Sequence, residues 1–91
     1  MNNLTEKTGL ITGATSGIGL AISVLLVKQG VKLFLLGRNF DHLKTELKKI
    51  KVVNPPVFVE LDISNPETTE DKINVLKEEN SIDFLIMLCE I

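Results

Sequence analysis

The chain has 91 residues, 44% of them hydrophobic and 24% charged, with a formal net charge of -2. Its length sets a single-domain prior, and its balance of apolar and charged residues excludes a disordered chain. The slight acidity excludes a basic footprint for nucleic acid, the single cysteine (Cys89) excludes an internal disulfide, and the single histidine (His42) argues against a zinc site.

The opening segment, Met1 to Lys7, carries no apolar stretch of the kind a secretory leader needs. A first strand is expected at Thr8 to Thr12, then a glycine-bearing loop and a helix from Gly17 to about Gln29. That helix is apolar nearly all round, through Ile18, Leu20, Ala21, Ile22, Val24, Leu25, Leu26 and Val27, which predicts burial on most sides. Gly30 stands where the chain must leave the helix. The second strand, Lys32 to Leu36, has the unalternating run Leu33-Phe34-Leu35-Leu36 of a central parallel strand covered on both faces.

Asn39 is placed to cap a helix from Phe40 to about Ile50, with Phe40, Leu43, Leu47 and Ile50 as its apolar stripe. His42 and the group Lys44, Lys48, Lys49 and Lys51 fall on the solvated side. Asn54-Pro55-Pro56 forces extended backbone into a third strand, Val57 to Leu61. Ser64-Asn65-Pro66-Glu67 reads as a capping box for a mostly polar helix to about Glu79, with Ile73, Val75 and Leu76 as its apolar contacts. The fourth strand is about Asp83 to Leu88. It lies in the longest apolar run, Phe84 to Cys89, far short of the roughly 20 residues a membrane span requires. The cytoplasm is the default compartment.

The order βαβαβαβ predicts an α/β fold: a partial, doubly wound parallel sheet with right-handed crossovers and strand order 3-2-1-4. The first two helices should cover one face and only the third the other, leaving strand four as an apolar edge. Self-association, or a missing C-terminal half, is the expected consequence.

The segment Thr12-Gly13-Ala14-Thr15-Ser16-Gly17-Ile18-Gly19 lies between a predicted strand and a predicted helix, the context in which glycines serve a dinucleotide pyrophosphate. Gly13 permits a sharp turn, Gly17 lets phosphate approach the backbone, and Gly19 lets the helix pack closely. Amides of the first helical turn, aided by the dipole, favour an anion there. Thr15 and Ser16 add hydroxyl donors. A tight turn with glycines for packing alone is the competing reading.

In these residues the chain resembles the short-chain dehydrogenase/reductase family, whose pyrophosphate loop has the form Thr-Gly-x-x-x-Gly-Ile-Gly found at residues 12–19. The resemblance continues through Leu36-Gly37-Arg38-Asn39, Leu61-Asp62-Ile63 and Ile82-Asp83-Phe84-Leu85-Ile86. It covers most of the chain but only the cofactor half of the family's usual length. It implies a Rossmann-like, NADP-binding domain over residues 1–91, single and incomplete. Its cofactor contacts fall at Gly13, Thr15, Ser16, Gly17, Ile18, Gly19, Arg38, Asp62 and Ile63. Asp62 and Ile63 lie beside the adenine, the carboxylate accepting from its amino group; as a bare residue, Asp62 also fits a turn before Ser64.

An acidic residue after strand two would bind the ribose 2′-hydroxyl of NAD, whereas this chain has Arg38, whose guanidinium can fork onto a 2′-phosphate. NADP(H) is therefore expected over NAD(H), against the plainer reading of a solvated arginine. Where the family's fourth strand ends Asn-Asn-Ala-Gly, this chain reads Met87-Leu88-Cys89-Glu90. The family's proton donor is a tyrosine assisted by a lysine and a serine, and the chain contains no tyrosine. The resemblance thus implies the NADP(H)-binding half of an oxidoreductase that interconverts carbonyls and alcohols, with no catalytic residue among these 91. The alternative is a stand-alone dinucleotide-binding or interaction module without catalysis.

Overall fold

The computed structural model describes residues 6–14 and 17–88. The predicted donors Thr15 and Ser16, together with Cys89 and Glu90, lie outside the described residues. The elements run β1 (Thr8–Thr12), α1 (Gly17–Lys28), β2 (Lys32–Gly37), α2 (Asp41–Leu47), β3 (Val57–Glu60), α3 (Pro66–Glu79) and β4 (Phe84–Met87). The strands form one parallel sheet in the order β3-β2-β1-β4, a partial Rossmann-like sheet with the order the alternation predicted. From β1 the chain steps outward to β2 and β3, then returns to the free side of β1. Right-handed crossovers in opposite directions put helices on opposite faces.

Side chains alternate across the strands and sort into two cores. Ile11, Leu33 and Leu35 join Val27, Val31, Leu43 and Leu47 beneath α1 and α2. Leu10, Phe34 and Leu36 meet Ile73 and Leu76 of α3 on the other face. Burying each such side chain stabilises by about 1.5–3 kcal/mol relative to exposure. β2 is buried on both faces, as its continuous apolar run requires.

Several local expectations are corrected. Helix α1 is covered on one side only: Ile18 is 72% exposed and Leu25 56%, because α1 lies over the sheet with nothing described above it. Helix α2 begins at Asp41 after Phe40, whose side chain caps nothing; Asn39 instead accepts from the Asp41 N–H at 3.0 Å, and the helix ends at Leu47. The N-cap of α3 is Asn65, accepting from Thr68 N–H at 3.2 Å, and not Ser64. Pro66 explains the choice, since proline favours the first helical position and makes its predecessor the cap. Within α3, Val75 faces solvent while Thr69, Ile73 and Leu76 are buried.

Strand β4 is fastened to β1 at its start. The Asp83 carboxylate accepts from the Thr8 N–H at 2.7 Å, and the Asp83 N–H donates to the Thr8 carbonyl at 2.7 Å. One residue on, the Phe84 ring occupies the space a side chain at Gly9 would need. β4 is an outer strand of the sheet, with Leu85 and Met87 open on the α3 face.

Candidate functional site

Parallel strands end along one edge of a sheet, and here backbone hydrogen bonds hold the chain together just beyond those ends. Gly13 N–H donates to Leu36 O at 3.3 Å, Leu61 N–H to Gly37 O at 2.7 Å, and Leu88 N–H to Thr12 O at 3.3 Å. The glycine loop, Arg38 and Asp62 therefore stand side by side. This edge includes the point between β1 and β4 where the chain reverses direction across the sheet, the usual place for a ligand in such folds.

Gly13 and Gly17 have φ of +78° and +54°, a region that side chains enter only with strain. A Cβ at Gly17 would meet nothing within 4 Å among the described residues beyond its chain neighbours, so the described chain leaves that space open. A Cβ at Gly19 would overlap the Gly13 carbonyl oxygen and lie 3.0 Å from Leu88 Cδ1, so the first turn of α1 rests directly on the loop. Apart from the helix's own ladder, no acceptor among the described residues takes the N–H groups of Gly17, Ile18 or Gly19. Unpaired amides at a helix start, with the positive end of the dipole, suit an anion. The Ile18 side chain is exposed.

A cleft of about 760 Å³ opens between the strand ends and α3. It brings together Arg38, Asp62 and Ile63 from the predicted set. Thr12, Ser64, Thr69, Leu85, Met87 and Leu88 complete most of its wall. Asp62 Oδ1 accepts from the Ser64 N–H at 2.9 Å and from the Ser64 hydroxyl at 2.6 Å. Asp62 is thus a turn residue, as its bare position suggested, yet Oδ2 has no hydrogen bond among the described residues. Donation from the Ser64 hydroxyl, then its N–H, and then the nearby Arg38 charge hold the Asp62 carboxyl below the ordinary carboxylate range. Arg38 is exposed and makes no ion pair among the described residues.

The remaining polar residues behave more plainly. His42 is exposed. Lys44 lies 5.0 Å from the centre of the Phe58 ring, which in turn tilts against Phe40, and Lys49 pairs with Glu46 at 2.8 Å. The sequence reading missed Thr69, whose buried hydroxyl oxygen has no partner among the described residues, and the packing of Leu88 against Gly13 and Gly19. Leu88 was expected inside strand four, whereas β4 ends at Met87 and Leu88 follows it. Among the described residues no helix is long and apolar enough to cross a membrane, and no group of three or more His, Cys, Asp or Glu is placed to hold a metal.

A family model described as short chain dehydrogenase matches residues 7–88. The chain is 36% identical over 78 residues to an uncharacterized oxidoreductase of Staphylococcus aureus (strain USA300), a match covering 86% of this chain and 33% of that protein. The chain thus spans about a third of the length of the curated relatives it matches. The L-sorbose reductase of Gluconobacter frateurii, solved with NADPH and L-sorbose, is similar at 28% identity and a TM-score of 0.72, over 93% of this chain and 34% of that one. An NADH-dependent reductase solved with NAD is similar at 26% identity and a TM-score of 0.70, over 92% of this chain and 36% of that one.

Proposed function

The chain belongs to the short-chain dehydrogenase family, and we propose that its 91 residues form a single, incomplete domain that binds NADP(H) in preference to NAD(H). The glycine loop at Gly13, Thr15, Ser16, Gly17, Ile18 and Gly19 holds the pyrophosphate. Arg38 takes the 2′-phosphate, and Asp62 and Ile63 flank the adenine. When bound, the dinucleotide supplies or accepts hydride at its nicotinamide. The open space at Gly17 beside unpaired amides fits a pyrophosphate, since nothing in the described chain fills the cradle.

The observation that carries the NADP preference is Arg38 at the end of β2, exposed and lining the cleft, where NAD binding calls for an acid. The two similar reductases divide between NADPH and NAD, so family likeness leaves the choice to this residue. A charge-assisted hydrogen bond contributes about 1.5–3 kcal/mol, or about 10- to 150-fold in affinity. Calorimetric titration of the chain should therefore show NADPH bound more tightly than NADH, with the preference lost in Arg38→Ala. Equal affinities in the parent chain overturn the assignment.

Carbonyl–alcohol interconversion also requires a proton donor to the developing alkoxide. The sequence has no tyrosine, and neither His42 nor Asp62 is set up as a substitute acid: one is an exposed helix residue, the other is held ionised. The proposal is therefore the nucleotide-binding half of such an oxidoreductase, cytoplasmic and catalytically incompetent alone. One observation favours an interaction role beside it. The β3 edge follows Pro55-Pro56 and carries Lys44 over Phe58, whereas β4 offers an uncharged edge with Leu85 and Met87 exposed. Self-association, or docking of a C-terminal half, is the use proposed for that edge.

A further inference from the structure

Ser64 stands where the sequence pattern puts a helix cap, yet the cap is Asn65. The Ser64 hydroxyl is turned to a different task. It donates to Asp62 Oδ1 at 2.6 Å, the Ser64 N–H donates to the same oxygen at 2.9 Å, and Asn65 N–H closes the turn onto the Asp62 carbonyl at 3.3 Å. Asp62 is exposed, and an exposed carboxylate without such ties would rotate among several rotamers. Both donors act on one oxygen, and on this cleft-lining residue Oδ2 is left without a hydrogen bond among the described residues.

We infer that Ser64 is a positioning residue that selects the base: it fixes the Asp62 carboxylate so that Oδ2 accepts from the exocyclic amino group of adenine and repels a 6-oxo purine. The inference rests on the reading of Asp62 as the adenine contact. An ionised carboxylate only accepts hydrogen bonds. Adenine offers a donor at C6, whereas hypoxanthine offers a carbonyl oxygen, an acceptor facing an acceptor. A fixed carboxylate makes this difference felt; a rotating one turns away from the unfavourable contact and loses discrimination. The lowered pKa of Asp62 is consistent with a group that remains an acceptor throughout the neutral range.

The test is calorimetry of the whole chain with NADPH and with its hypoxanthine analogue. The parent chain should favour NADPH by about tenfold or more. Ser64→Ala should weaken NADPH by several-fold and relieve the penalty on the hypoxanthine analogue, contracting the ratio, and Ser64→Thr should restore it. Asp62→Asn, whose amide can donate, should shift preference toward the hypoxanthine form. A thermal melt of each variant separates loss of fold from loss of recognition. If the parent binds neither dinucleotide, the nucleotide-binding reading falls and this inference with it. If it binds both equally, the base contact is wrong. If it selects NADPH but Ser64→Ala keeps the same ratio, or loses both ligands alike, the Ser64 inference alone is overturned.

Discussion

On the α1–α2 face, Ile11, Leu33 and Leu35 meet two helices and are fully buried. On the α3 face, Leu10, Phe34 and Leu36 meet one helix, and beyond it the side chains of Leu85 and Met87 stay open at 41% and 61% exposure. The cleft lies where that second cover runs out. The difference teaches that packing and recognition are divided between the faces. The doubly covered face fixes the loop and α1 against the sheet, and the singly covered face leaves room for a ligand and an unguarded strand.

The largest expected effect tests that division directly. Leu35→Ala removes a fully buried side chain from the doubly covered face and should cost about 2–5 kcal/mol in urea unfolding. That is a large share of the about 5–15 kcal/mol that holds a typical domain together. Met87→Lys, on the open face, should stay within about 0.5 kcal/mol of the parent, as surface changes do. It should also weaken the self-association proposed for β4, which sedimentation velocity over a concentration series would read. A strongly destabilised Met87→Lys would mean that the α3 face is covered in solution, and the contrast would fail.

Within the covered face the tightest point is Gly19, and Gly17 beside it is a natural control. In Gly19→Ala the new methyl meets the Gly13 carbonyl, which is backbone and cannot step aside cheaply. Overpacking of this kind costs about 1–3 kcal/mol, and the displaced loop should lose NADPH affinity with it. Gly17→Ala meets no neighbour among the described residues and is opposed there by its positive φ, so its melting point should fall less while binding is still impaired. If both variants melt like the parent, the close approach of α1 to the loop is wrong.

How much of this was legible depends on what each residue responds to. β2 announced itself because an unbroken Leu33–Leu36 run fits only a strand buried on both faces. The glycine spacing placed the β1–α1 turn, Arg38 could be singled out because it follows the end of the second strand, and Asp62 and Ile63 were singled out by the family resemblance. The exposure of Ile18 and Leu25 was not legible. A helix apolar all round carries no mark of which side is covered, since that depends on what packs against it. The capping-box pattern pointed to Ser64, but Pro66 at the first helical position makes Asn65 the cap. Thr69 looks like any polar helix residue in the sequence. Only the tertiary crossing of α3 over the sheet buries it.

The smallest effect compares one carboxylate from each face. Glu46 on α2 is held below its ordinary pKa by a hydrogen bond and charge from Lys49, and Asp62 before α3 chiefly by the neutral donors of Ser64. A folded-state pKa below the unfolded value gives stability that is present above the unfolded value and lost as pH falls through the folded one. Both groups should therefore contribute a slight loss of stability on the acid side of the ordinary carboxylate range, and none near neutrality. Asp62 is exposed and Glu46 half-buried at the surface, so the loss should be far smaller than that of Leu35→Ala. Salt tells them apart, because at about 1 M the screening length falls to about 3 Å and acts on charge pairs between exposed groups. NMR titration should then show Glu46 moving back toward its ordinary value while Asp62 stays depressed. An Asp62 shift that also collapses in salt would assign it to Arg38 instead, and with it would go the argument that Ser64 is what holds this carboxylate.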